Sequence, residues 1–223
     1  MKSILRSLPI LALCSALSAA APARSAAQFG LRGGVNLSRF VGGDSESDPR
    51  AGINLGASIP LFRVGPIALV PEVYYAAKGG TAFTQIGVTP VTSSALEFEL
   101  SYIEVPVLLR LHFPLGPIEG YVGGGPAYAW NLDCKFTPET DPNAEARDCG
   151  QQFQSFDTAM SNADKLVVFN GGLNFFVLGG FGGLNLDARM TRGFDHVIEG
   201  TGTEEHDVKN QSITLMLGYY LGR

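Results

Sequence analysis

Several charged residues stand where charge is costly. Arg32, Glu72, Lys78, Glu104, Arg110, Asp187 and Arg189 each lie in a stretch whose alternate residues are apolar. Three chemistries fit such residues. Paired in a dry interior, they would form an ion-pair network that fills space; unpaired, each would cost several kcal/mol. Rearranging, the same pairs would gate a polar path for small ions. An enzyme would need a histidine within reach of a serine and a carboxylate. The histidines are His112, His196 and His206, and no nucleophile-elbow or His/Glu helix motif accompanies them. His196, Glu204, Glu205, His206 and Asp207 could grip a divalent cation, but they read more simply as a solvated acidic loop. No catalytic, cofactor or metal residue is assigned.

The leader and the cysteines set the compartment. Lys2 and Arg6 precede an apolar, alanine-rich run from Leu8 to Ala21, and Ser25, Ala26 and Ala27 supply small residues for cleavage before Gln28. The run is shorter than the roughly 20 residues a spanning helix needs. Residues 1–27 therefore read as a signal peptide and residues 28–223 as one domain. Without Lys2, Arg6 and Arg24, the 16 basic residues fall to 13 against 21 acidic ones, so the formal charge moves from −5 to −8. That disfavours nucleic acid and electrostatic docking on anionic lipid heads. In an oxidising compartment Cys134 and Cys149 are expected to pair; neither has a second Cys or a His at metal-ligand spacing.

The charges must be positioned by strands. In Leu100 to Pro114, LSYIEVPVLLRLHFP, the odd positions Ile103, Val105, Val107, Leu109, Leu111 and Phe113 are all apolar, while the even ones include Glu104, Arg110 and His112. Alternation with period two marks an extended strand. Seven further segments alternate: 28–40, 51–62, 67–78, 118–131, 164–177, 183–194 and 208–221. Gly123, Gly124 and Gly125 leave the facing of one of them open, with a bulge expected there. Pro71 and Pro106 interrupt two others, and a local bulge is expected at each.

Connection lengths segregate. Residues 41–50, 79–95, 132–163 and 195–207 are long polar stretches, whereas 63–66, 114–117 and 178–182 are tight turns. In an up-and-down meander these sets lie at opposite ends, the pattern of an outer-membrane barrel. The aromatics band likewise. Phe62, Phe113, Phe175, Phe181 and Tyr219 fall near the short turns; Phe40, Tyr75, Tyr128, Trp130 and Phe194 fall near the long loops. Two such bands suit membrane interfaces. The reading is an all-β, eight-stranded antiparallel transmembrane β-barrel, its lumen just wide enough for side chains to fill. Glycines opposite Tyr74, Tyr102 and Tyr220 are expected to make room for those rings. A periplasmic barrel or sandwich is the alternative.

Leu69–Gly79 (LVPEVYYAAKG), Tyr102–Arg110 (YIEVPVLLR), Tyr121–Pro126 (YVGGGP) and Leu186–Arg189 (LDAR) occur in this order. Together they resemble the PorT-type outer-membrane β-barrel family, often labelled "porin family". The resemblance covers nearly all of residues 28–223. It implies an eight-stranded barrel in the bacterial outer membrane and says little about activity. Such barrels often finish on an aromatic; this chain ends Tyr220-Leu221-Gly222-Arg223.

The sites expected are a lumen charge network of Arg32, Glu72, Glu104, Arg110, Asp187 and Arg189, and a disulfide between Cys134 and Cys149. The expected function is structural or surface interaction through four loops. A narrow porin-like channel is the alternative, followed by a barrel enzyme. Expected partners are outer-membrane lipid, the barrel assembly machinery and a surface ligand.

Overall fold

The computed structural model describes residues 29–41, 47–86, 92–138, 145–149, 159–160, 163–176, 182–194, 198–199 and 209–221. The leader, His196, His206 and most of the acidic loop lie outside them. Eight strands form the wall: β1 (Phe29–Val41), β2 (Arg50–Ser58), β3 (Ile67–Ile86), β4 (Thr92–Leu115), β5 (Ile118–Pro138), β6 (Ala163–Phe176), β7 (Gly182–Gly193) and β8 (Lys209–Leu221). Each is antiparallel to its neighbours. The ring closes because β1 pairs with β8, Val35 facing Leu215, as well as with β2, Val35 facing Ile53. A closed ring leaves no unpaired edge in the wall, which is what lets strands cross a bilayer.

The pleat sends alternate residues to opposite faces. Leu31, Val35, Leu37, Ile53, Leu55, Leu109, Leu111, Leu184, Ile213, Leu215 and Leu217 are exposed on the outer wall. Asn36, Asn54, Glu72, Lys78, Glu104, Arg110, Asn170, Asp187, Arg189 and Thr214 are buried inside it. This polar interior and apolar exterior invert a soluble core.

Three strands run further than their composition suggests. β3, β4 and β5 have 20, 24 and 21 residues, roughly twice the 9–11 or so a tilted crossing needs. Residues 79–95 are rich in Gly, Thr and Ser and read as a loop; instead the ladder continues from Gly79↔Glu99 up to Ile86↔Thr92. The register inherited from the wall carries the hairpin past the rim. Likewise β5 continues beyond Asn131, so Cys134 lies in a strand.

Neither proline produces a bulge. Pro71 faces Val107 and Tyr74 faces Glu104, the same register on both sides of a gap in the ladder; Pro106↔Ala127 and Leu109↔Gly124 likewise share one register. A missing N–H removes a rung without adding a residue. The register shift falls instead between Ser101 and Tyr102, which face Asp133 and Asn131. Leu132 is the extra residue, and it flips the facing of β5: Tyr121, Ala127 and Ala129 are buried before it, Phe136 after it.

A closed and charged lumen as the candidate functional site

The centre of the lumen is a single carboxylate held from three sides. Glu72, on β3, accepts from Arg32 Nη1 of β1 at 2.7 Å and from Arg110 of β4, and forms an ion pair with Arg189 Nη2 of β7 at 3.1 Å. These strands lie around the ring, so their side chains meet across the interior. Asp187, beside Glu72 and fully buried, accepts from Arg189 Nε at 3.0 Å, from the Tyr121 hydroxyl at 2.6 Å and from Asn170 Nδ2 at 2.8 Å. Arg110 Nη2 stands 3.9 Å from it.

Three guanidiniums face two carboxylates, so this cluster carries one surplus positive charge. Two tyrosines moderate it. The Tyr74 hydroxyl accepts from Arg32 Nη1 at 3.2 Å and from Arg189 Nη2 at 3.3 Å. The guanidinium carbon of Arg189 lies 4.5 Å from the Tyr74 ring centroid, and that of Arg110 lies 4.7 Å from the Tyr121 centroid. The ring quadrupole attracts a cation placed over its face. Room for the rings comes from glycine. A Cβ on Gly56 would collide with Tyr74, one on Gly172 with Tyr121, and one on Gly183 with Tyr220. The pairing expected for Tyr102 is taken instead by Tyr121.

Arg32, Glu72, Arg110, Asp187 and Arg189 thus meet in one cluster. Glu104 does not join it. Its carboxylate pairs with Lys78, both buried, as a separate ion pair. Nearby, Asn36 Nδ2 donates to Asn54 Oδ1 at 2.6 Å and to the Ala77 carbonyl at 2.8 Å.

Both mouths are also filled. At the short-turn end Glu119 accepts from Arg63 Nη2 at 2.6 Å and from Asn174 Nδ2 at 3.2 Å, and lies 2.8 Å from His112 Nδ1. At the loop end the strand tips turn apolar. Phe40 meets Phe98 edge-on with centroids 6.3 Å apart, and Phe98 lies 6.3 Å from Phe136. Leu100, Leu166, Val168 and Cys149 pack into the same cluster. Phe40 therefore belongs to an internal cap and not to an outer aromatic band. Its even position in β1, shared with Asn36 and Ser38, points it inward. Cys134 and Cys149 form a disulfide with Cα atoms 5.5 Å apart. Among the described residues, no three His, Cys, Asp or Glu side chains converge as a metal site.

Tyr74, Tyr121, Asn170, Glu119, Arg63 and the aromatic cap were not read from the sequence as site residues. Parity does turn Tyr74 and Asn170 to the face of the inward residues, but it gives them no partner. Tyr121 was hidden by the glycine run, and Glu119 by its place beside a turn.

A profile described as outer membrane protein beta-barrel domain matches residues 18–199. The chain belongs to that family. As an outer-membrane barrel it turns its exposed aliphatic rows to lipid, and the filled lumen crosses the bilayer. No curated protein matches it. Among solved structures it is similar to Ail of Yersinia pestis, at 14% identity and TM-score 0.42, over 87% of this chain and 99% of that one. It is similar to OprG from Pseudomonas aeruginosa at 11% identity and TM-score 0.47, over 89% and 97%. It is also similar to the outer membrane enzyme PagL at 12% identity and TM-score 0.41, over 82% and 97%.

Proposed function

We propose that this outer-membrane barrel is a structural or surface-interaction protein of the PorT type, exported by its leader, with a lumen that does not conduct. The observation that carries the reading is Glu72, bound by arginines of three different strands across the interior. Opening a path there means separating buried charges, at about 3–5 kcal/mol for each pair broken. The apolar cap adds a dry barrier at the loop end. What remains for interaction is the β3–β4–β5 extension, stapled by Cys134–Cys149. The PorT-type placement draws support from where its motifs fall. Leu69–Gly79 supplies Glu72, Tyr74 and Lys78; Tyr102–Arg110 supplies Glu104 and Arg110; Tyr121–Pro126 supplies Tyr121; Leu186–Arg189 supplies Asp187 and Arg189.

A liposome-swelling assay tests the reading. Vesicles holding the refolded barrel should swell in small sugars no faster than empty ones. Swelling that scales with protein content would replace it with the channel reading. The surplus arginine in the central cluster favours anions for such a channel.

A further inference from the structure

The outer wall of β6, β7, β8 and β1 carries cations at one height. Arg39 on β1 faces Gln211 on β8, and Gln211 faces Arg192 on β7. Arg39 and Arg192 both point outward and are exposed. Lys209 precedes Gln211 by two on the same face of β8, Lys165 stands outward on β6 beside Tyr128, and both lysines have partners of their own. The row directly below is wholly apolar: Leu37, Ile213, Met190 and Phe169, all exposed. Aromatics mark the same height, because Tyr128, Trp130 and Phe194 are exposed there and the first two rings lie 4.6 Å apart. Aliphatic wall, then aromatics, then guanidiniums is the order met on leaving a hydrocarbon layer for its headgroups.

The opposite wall is different. There Arg50 is engaged by Glu97 and Glu99, and Lys135 lies 3.3 Å from Asp133. No carboxylate among the described residues pairs with Arg39 or Arg192. Only β8 lies between them, a gap of two strand spacings or roughly 10 Å, so two long side chains can converge on one headgroup. Arginine suits phosphate because its planar fork donates two parallel hydrogen bonds.

We infer that Arg39 and Arg192 form a binding site for the phosphorylated headgroup of an outer-leaflet lipid. The site holds a lipid against the β1–β8–β7 wall at the loop-side boundary. It rests on the family placement and not on a closed lumen, so a conducting barrel would leave it standing.

The test uses the full barrel, refolded in phosphatidylcholine and titrated with lipid A, retained lipid being counted by native mass spectrometry. A cation near a membrane surface contributes about 1 kcal/mol, or about five-fold in affinity. R39Q/R192Q should therefore bind lipid A about 25-fold more weakly than wild type, while K135Q on the opposite wall binds normally and R39K/R192K, which keeps the charge and loses the fork, falls between the two. Dephosphorylated lipid A should bind wild type as poorly as lipid A binds R39Q/R192Q. If the double variant does not refold, R39Q and R192Q singly should each lose about five-fold. Equal binding of lipid A by wild type and variant, or of the two lipid forms by wild type, overturns the inference. Displacement of lipid A by matched inorganic phosphate overturns the lipid assignment.

Discussion

Glu72→Gln keeps the shape of the side chain and removes its charge. In the folded barrel that carboxylate is 3% exposed and serves Arg32, Arg110 and Arg189 together. The substitution leaves three buried guanidiniums facing Asp187 alone. Removing one partner of a buried pair costs about 3–5 kcal/mol, and sharing among three cations argues for the upper part of that range. For a chain of this size about 1 kcal/mol corresponds to about 2–4 °C in melting temperature, so a fall of about 10–20 °C is expected. Urea unfolding in lipid vesicles, followed by the fluorescence of the single tryptophan Trp130, measures the free-energy loss, and a thermal scan of the same vesicles measures the shift. Glu97→Gln is the comparison. Its carboxylate is 44% exposed, and an exposed pair contributes about 0–1 kcal/mol. E72Q/R110Q restores the wild-type charge excess and should recover part of the loss, as coupled neighbours do. An E72Q barrel that unfolds with wild-type stability would refute the view that this carboxylate braces the lumen.

Other changes reach other layers. Gly172→Ala would push a methyl into Tyr121 and the Leu186 carbonyl; overpacking of about 1–3 kcal/mol should appear in the same urea assay. Cys134→Ser with Cys149→Ser opens a crosslink spanning 15 residues, worth about 3 kcal/mol in the chain-entropy model. The barrel should still refold, and trypsin should cut between positions 134 and 149 sooner. Leu215→Arg puts a charge on the lipid face of β8, between Val35 and Ala188. It should cost about 2–4 kcal/mol near the bilayer midplane, seen as a lower urea midpoint in vesicles.

The facing of the wall was legible because the pleat fixes a period of two. Ile103 through Phe113 read as an outer face, and Glu104 and Arg110 as inner, from the sequence alone. Which charge meets which was not legible. Tyr74 and Arg189 are 115 residues apart, and their meeting depends on the stagger between strands, which no single strand encodes. Glu104 shows the consequence. It shares the inward face of β4 with Arg110, yet it pairs with Lys78 and stays out of the Glu72 cluster. Strand ends were obscured by composition, because Gly79, Gly80 and the serines before Ala95 favour turns locally while their register is set from below. Phe40 was misplaced for a related reason. Nearness to a loop suggested an interface aromatic, but parity and the partners Phe98 and Phe136 make it part of the cap.

Single-channel recording across a planar bilayer puts the closed lumen to the most direct test. Wild-type barrel at neutral pH should give no steady conductance step, because Glu72 and its arginines bar the middle and Phe40, Phe98 and Phe136 cap the loop end. Reproducible, ohmic steps from the wild-type protein would contradict it.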